Sequence, residues 1–470
     1  MRILLLRMCS VAKTRSQSPP ELQKGREVTL FDFSVEPEFQ EKLDWMLAFV
    51  KEQCEPLDIL YSNHGDPYDT ASETRRAILD PLQAEVKKRG LWACHLDPHL
   101  GGEGYGQVKL ALMNEIIGRS HWASTVFGTA APDTGNDEIL AMYGTKEQKE
   151  RYLQPLLNGH IVSTYSMTEP YGGADPKEFT CRAYQDDGEW VIEGEKWFSS
   201  NARFASFLIV MAVTNPDAPP YERLSMFIVP AETPGITILR NVGTIGEDLN
   251  EGRGNHAHIR YDKVRIPADA LLGGIGGGFK VAQARLGGGR IHHAMRTVGR
   301  CQRAFDMMLS RAKSRRTQGK LLADHQFVQG MIADSAIELE MFRLLVLKTA
   351  WIIDTQPHGA ARTHIAMCKV ELPRVFQNIV QRAIQIHGSY GVTNETPLAS
   401  MWTDVLLMGL ADGPTEVHKV QVAKGMLKTA EPYTGLFPPE HIPPRLEDAR
   451  SRYADILNRS FTHESERVEG

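Results

Sequence analysis

The hydrophobic period of this chain changes twice along its length, and nothing else in the sequence limits the possible folds as strongly. From about Val28 to Gly159 apolar residues recur at helical spacing. Phe39, Leu43, Met46, Leu47 and Val50 form one stripe, Pro81 to Arg89 reads as a second helix stopped at Gly90, and Leu110 to Gly118 as a third. Between Ile161 and about Leu272 the period falls to two. Candidate strands are Trp190–Glu193, Phe207–Val213, Ser225–Val229, Ile236–Asn241 and His256–Val264, separated by turn signals such as Asp186-Asp187-Gly188 and Asn215-Pro216-Asp217. From about Gly278 to Thr429 the helical period returns in long runs. Val328, Ile332, Ser335, Leu339, Phe342, Val346, Thr349 and Ile353 alternate steps of four and three, the stripe of a bundle helix. A further helix around Ile365–His387 contains Pro373, which removes one backbone hydrogen bond and should kink it.

This order predicts an α+β chain with a helical N-terminal domain over 28–160, a β-barrel or sandwich domain over 161–275 and a C-terminal four-helix bundle over 276–430. Residues 1–27 read as a disordered start or extension, and 431–470 as a tail rich in proline and then charge. With 470 residues the chain exceeds the roughly 250–300 at which one core stops growing, so several domains are expected.

A formal charge of −5 gives no basic field for nucleic acid. The six cysteines show no paired spacing that would indicate a disulfide framework or a metal site, which favours a reducing, cytoplasmic setting. Met1 to Pro20 carries four basic residues and no acid, a composition open to a mitochondrial leader if the source is eukaryotic. The apolar run Ile3–Leu6 is too short to span a membrane.

Three constellations carry chemistry. The first is Tyr165-Ser166-Met167-Thr168-Glu169-Pro170-Tyr171-Gly172-Gly173-Ala174-Asp175 with Trp197-Phe198-Ser199-Ser200-Asn201 about thirty residues on. Hydroxyls, a flat apolar residue and a glycine turn suit a planar ring with donors and acceptors on its edge, although each element is also common in ordinary turns and cores. The second comprises Arg290 after Gly287-Gly288-Gly289, then Arg315 to Lys320, then Gln385-Ile386-His387-Gly388-Ser389-Tyr390-Gly391. Arginine offers a planar fork to phosphates, yet taken locally these are a solvated helix face and a helix C-cap. The third is Ala411-Asp412-Gly413-Pro414-Thr415-Glu416 behind the apolar run Val405–Leu410. A carboxylate in a dry pocket has a raised pKa and serves as a base, but an Asp before Gly-Pro-Thr is more often a helix N-cap.

Taken together, in order and over about residues 35–428, these motifs resemble the acyl-CoA dehydrogenase family. The branch containing family members ten and eleven is closest, because it also reads Ala-Asp-Gly-Pro at the third site. The resemblance implies FAD as cofactor, with the ring held by Met167, Thr168, Gly173, Trp197 and Ser199. It also implies that Arg315, Gln318, Gln385, Gly388 and Ser389 of a neighbouring subunit clasp the adenosine diphosphate half, in a homodimer or homotetramer. Asp412 would be the catalytic base; the spacing 412 − 385 = 27 fits the family's pattern, and the alternative base position falls on Gly289. Arg290, Gly413 and Ala174 would face the acyl-CoA substrate. The family has Ser at the Ala174 position, an aromatic at Gln318 and often Gly at Ser389, so this chain departs there.

The implied reaction is α,β-dehydrogenation. Asp412 takes the α-proton, the β-hydrogen leaves as hydride to flavin N5, and a trans-2-enoyl-CoA forms, with an electron-transfer flavoprotein as acceptor. A base one methylene shorter than the usual Glu points to a bulky or substituted acyl group. Two alternatives stay open: a nitroalkane-oxidase-like flavoenzyme using the same Asp, and a non-catalytic acyl-binding protein of the same fold.

Overall fold

The computed structural model describes residues 34–61, 66–245, 255–357 and 359–458. The reading of 1–27 as an extension and the end of the 431–470 tail lie outside them. Four main helices precede the sheet: α1 Pro37–Phe49, α2 Glu73–Lys88, α3 Gly106–Ile117 and α4 Asp133–Tyr143. The second begins eight residues before the expected Pro81. Ser72 caps it by accepting the Arg75 N–H, and Pro81 is carried inside the helix.

The sheet contains β1 Ser163–Ser166, β2 Arg182–Asp186, β3 Glu189–Ser200, β4 Phe207–Val213, β5 Leu224–Pro230, β6 Ile236–Val242, β7 His256–Pro267 and β8 Leu271–Leu272. Its order is β6-β7-β3-β2-β4-β5-β8, with β1 parallel to β4 at the register Ser163↔Phe207. A single pair, Arg182↔Val213, joins β2 to β4. The sheet therefore behaves as two leaves. Trp190, Ile192 and Tyr261 of one leaf pack with Leu208, Val210 and Phe227 of the other. The opposite side of β4 and β5, through Phe207, Ile209, Met211, Met226 and Ile228, packs on Ile139 and Leu140 of α4. All seven residues of β4 are buried, which explains why this strand is a continuous apolar run rather than an alternating one. The sequence pattern missed β1, β2 and β8, which are short and largely polar or isolated.

Beyond the sheet come α5 Gly278–Ser314, the hairpin strands β9 Arg316–Thr317 and β10 Lys320–Leu321, then α6 Gln326–Thr355, α7 Arg362–His387, α8 Leu398–Met408 and α9 Thr415–Lys428. A last helix, α10 Ile442–Arg452, has no buried residue. The α6 stripe buries Ser335, Leu339, Phe342, Val346 and Thr349 as its spacing requires. α7 runs unbroken through Pro373. The three glycines 287–289 form no turn; they lie inside the 37 residues of α5. The bundle and the N-terminal helices share one core, in which Phe39, Met46, Leu110 and Met113 meet Ile291, Met295, Phe376 and Leu398. α5 thus touches all three regions, since Val281 and Ala282 belong to the sheet's core. No helix among the described residues is long and apolar enough to cross a membrane.

Candidate active site

Two structures meet beside α5: a shelf at the end of β1 and the loop between α8 and α9. The shelf is set by a buried ion pair. Lys196 of β3 has no exposed surface; its ammonium donates to Met167 O at 2.8 Å and to Glu169 Oε1 at 2.9 Å. Glu169 also accepts from Thr180 N, Thr180 Oγ1 and Cys181 N, so neither buried charge lacks a partner. Trp197 N donates to Thr168 O at 2.8 Å, which locks the two halves of the first constellation together. Trp197 is half-buried against His258 and Arg240. Thr168 is half-exposed, its hydroxyl without a protein partner among the described residues, and a Cβ at Gly173 would meet only the Thr168 methyl, at 3.8 Å. Ala174 is exposed beside them.

Ser199 departs from the expectation that its hydroxyl reaches a bound ring. It is fully buried, and its Oγ lies 2.8 Å from Ser166 Oγ, which in turn meets the Tyr261 hydroxyl at 2.8 Å. The cause is local. β3 is irregular between Lys196 and Ser199, with Phe198 at φ 54°, and the shift turns Ser199 into the sheet.

Asp412 sits in the left-handed region at φ 57°, a conformation Asp tolerates better than most residues, followed by Gly413 at φ 107°. It caps no helix: α9 starts after Pro414 and has no side-chain cap. Three side chains pin its loop. Arg290 Nε donates to Asp412 O at 2.9 Å, and the buried Lys369 of α7 donates to Met408 O at 2.8 Å and Ala411 O at 2.9 Å. His418 Nε2 approaches Asp412 O at 3.3 Å. The carboxylate rests on α5. A Cβ at Gly289 would lie 2.8 Å from Oδ2, and His293 Nε2 stands 3.3 Å from the same oxygen. Oδ1 has no protein partner among the described residues.

The electrostatics reverse one expectation. Burial alone raises the Asp412 pKa, but His293, Arg285 and Lys369 outweigh it and hold the carboxyl below the ordinary range. Asp412 is therefore ionised before any substrate arrives. Neighbouring basic groups bear a burial cost in turn: Lys369 is pushed down to about 8 and His418 to about 4, both chiefly by desolvation. Sequence reasoning passed over His293, Arg285, Lys369 and His418. The adjacent His292-His293 pair one turn beyond three glycines, and a Lys within an apolar helix, are the signals that could have found them.

A second group of polar side chains lies along α5 on the side of Gly288 and His292. Glu138 Oε2 lies 2.7 Å from where a Gly288 Cβ would be, one residue from the glycine under Asp412. Burial pushes Glu138 up to about 7. His95 Nε2 meets Asp137 Oδ1 at 2.8 Å, and the His95 and His292 rings are 6.3 Å apart. His95 Nδ1 and His292 Nε2 are buried without hydrogen-bond partners among the described residues. Arg285 donates to Asn136 Oδ1 and lies over the Tyr165 ring, 3.9 Å from its centroid.

The remaining residues singled out in the sequence lie elsewhere. Arg315 follows the end of α5, 22 residues past His293, or roughly 33 Å at 1.5 Å per residue. Gln318 forms, with Gly319, the positive-φ turn of the β9–β10 hairpin. Gln385, Gly388 and Ser389 are exposed at the far end of α7, where Gln385 is 16 residues, or roughly 24 Å, from Lys369. One chain does not bring these five residues to the shelf.

An open shelf with a hydroxyl and a tryptophan suits a flat ring with polar edges, and the ionised carboxylate lies where sheet and bundle meet. Comparison with known proteins carries this further. Residues 37–160, 164–264 and 276–427 match the N-terminal, middle and C-terminal domains of acyl-CoA dehydrogenase. The Mycobacterium tuberculosis protein named "Probable acyl-CoA dehydrogenase FadE2" is 40% identical over 383 residues, 81% of this chain and 93% of that protein. Human acyl-CoA dehydrogenase family member 11 is 40% identical over 350 residues, 74% of this chain but 44% of its own length. The chain therefore spans nearly all of the mycobacterial relative and about half of the animal one. A solved structure from Mycobacterium abscessus assigned to the acyl-CoA dehydrogenases aligns with a TM-score of 0.77 at 38% identity, covering 84% of this chain and 99% of that one. A glutaryl-coenzyme A dehydrogenase in complex with glutaryl-CoA aligns with a TM-score of 0.73 at 25% identity, covering 85% and 98%. The chain belongs to the acyl-CoA dehydrogenase family. It is an FAD-dependent oxidoreductase acting on acyl-CoA thioesters. Of the residues expected to hold the flavin ring, Met167, Thr168, Gly173 and Trp197 lie together on the shelf, whereas the Ser199 hydroxyl is buried against Ser166.

Proposed function

We propose that Asp412 abstracts the α-proton of an acyl-CoA whose acyl group carries a polar substituent. One observation carries the base assignment: an ionised carboxylate stands on the Gly289 shelf with Oδ2 held by His293 and Oδ1 uncommitted. Held below its ordinary pKa, Asp412 is a weak base in the empty site. A thioester that displaces water from the pocket adds desolvation to the carboxylate and raises its basicity during the reaction. FAD, when bound, supplies the hydride acceptor. The Asp412 main-chain N–H would donate to the thioester oxygen, stabilising the charge that develops there.

The substituent is argued from the walls. A plain alkyl chain is best held by apolar side chains, whereas Glu138 and the unpartnered His95 Nδ1 and His292 Nε2 would gain no hydrogen bond from one. We further propose that a second copy of the chain supplies Arg315, Gln318, Gln385, Gly388 and Ser389 to the adenosine diphosphate half of FAD, that electrons leave to an electron-transfer flavoprotein, and that the setting is cytoplasmic. Anaerobic mixing with a series of straight-chain and polar-substituted acyl-CoAs, followed by flavin bleaching, tests the substrate reading. Substituted thioesters should bleach fastest, and Asp412→Asn should abolish bleaching. Preference for unsubstituted chains would overturn the polar-substituent reading. Bleaching by nitroalkanes but by no acyl-CoA would overturn the reaction itself.

A further inference from the structure

The base is one methylene shorter than Glu, and the structure shows what stands in the gap. α5 presents three consecutive functions to the 411–413 loop within one turn. Gly289 leaves room for Oδ2, Arg290 holds the Asp412 carbonyl, and His293, one turn beyond Gly289, places Nε2 3.3 Å from Oδ2. A larger residue at 289 would occupy the carboxylate's position, so glycine and histidine together fix where the short base sits.

We infer that His293 is a positioning residue for the base: its Nε2–H donates to Asp412 Oδ2, turns Oδ1 toward the substrate and keeps the carboxylate ionised. This rests on the reading of Asp412 as the base. The 3.3 Å separation is longer than a tight charge-assisted bond, as is common for catalytic pairs before substrate binding. His293 works as the neutral imidazole, because its surroundings disfavour a second positive charge. Arg290, His292 and Arg296 flank it on α5 with Arg285 a little earlier, Lys369 faces it from α7 and His418 from α9, against the negative Asp412. Tyr165 of β1 also lies within electrostatic reach of Asp412. Burial first, then Arg296 and Lys369, push its pKa down, in keeping with that role. No proton leaves or joins His293 in the proposed step; the α-proton passes from substrate carbon to Asp412 Oδ1.

Two measurements on the FAD-loaded protein test this. One is the exchange of α-protons from a redox-inert 3-thiaacyl-CoA in D2O, followed by NMR, which reads proton abstraction without hydride transfer. The other is the pH profile of anaerobic flavin reduction by a reactive acyl-CoA. Losing a hydrogen bond to a charged group should slow exchange by about ten- to a hundredfold in His293→Ala. The same change should move the acid limb of the profile upward by about one unit or more, since Asp412 loses a donor that favours its ionised form. KM for the thioester should stay within about twofold, because the contact binds no substrate. His293→Gln, which can place an amide N–H near Oδ2, should recover most of the exchange rate. Should His293→Ala not accumulate as folded protein, His293→Asn gives the same comparison, being polar but too short to reach. An unmoved acid limb, or glutamine failing to recover what alanine or asparagine loses, would mean that His293 only fills space and would overturn the inference. Exchange that persists in Asp412→Asn would instead sink the assignment of the base.

Discussion

Glu138 gives the polar chamber a measurable signature. Its carboxyl is pushed up from 4.5 to about 7, first by burial and next by Asp137, against the opposing pull of His95. A carboxyl whose folded pKa is raised takes up a proton on folding between those two values. Stability is then highest below the unfolded pKa and falls as pH rises through about 7. The full span corresponds to about 3 kcal/mol at alkaline pH. Glu138→Gln, neutral at every pH, should be more stable than the parent by up to about that amount at pH 8, with the gap closing toward pH 4.5. Urea unfolding at several pH values reads it, and a gap that does not depend on pH would show that Glu138 is not held protonated. Little of this was legible in the sequence. Asp412 was found because its motif is contiguous. Glu138, His95 and His292 come together only when α4, the 92–100 segment and α5 pack, and no spacing along the chain announces that. The burial of the Ser199 hydroxyl has a related origin: the irregularity of β3 between Lys196 and Ser199 changes which side chain faces outward, and alternation alone cannot foresee it.

At the level of elements the shelf depends on a strand and a turn being held by one ion pair. Lys196 on β3 reaches Met167 O and Glu169, and Glu169 in turn holds the start of β2 through Thr180 and Cys181. With side-chain exposures of 0% and 3%, the pair is effectively solvent-free, so removing one partner leaves a buried charge unanswered. Lys196→Met should cost about 3–5 kcal/mol and weaken FAD retention, because Met167 and Thr168 lose their anchor. The double variant Lys196→Met with Glu169→Gln should recover much of the stability. Equilibrium unfolding of the four proteins in a double-mutant cycle checks this, and additive losses would show the two residues to be independent. The long elements were readable from the sequence because their patterns are strong: β4 as an unbroken apolar run, α6 as a stripe. The start of α2 was not, since Pro81 looks like a beginning when in fact the helix carries it inside.

Across the whole molecule the same chain carries two sets of cofactor-facing candidates that cannot meet within it. Arg315 lies roughly 33 Å along α5 from His293, at 1.5 Å per residue, while the strand that leads into the shelf meets α5 near its start, through Tyr165 and Arg285. A second copy related by a two-fold axis would bring the end of one α5 to the shelf of the other. That arrangement makes a prediction no single-chain site can imitate. Asp412→Asn should lack the base, and Arg315→Ala should lose FAD, so each alone is inactive. When the two are produced together, half of random dimers are hybrids. In each hybrid one shelf keeps Asp412 and receives Arg315 from the chain that carries the Asp412→Asn change, while the other shelf has neither. Activity of the mixture should therefore return to about a quarter of the parent level, from one working site in half of the dimers, and to about half in hybrids purified through two different tags. If both residues served the same chain's site, every site in the hybrid would carry one defect and the mixture would stay inactive. Flavin reduction per mole of protein, measured on the mixture and on the purified hybrids, decides between the two arrangements.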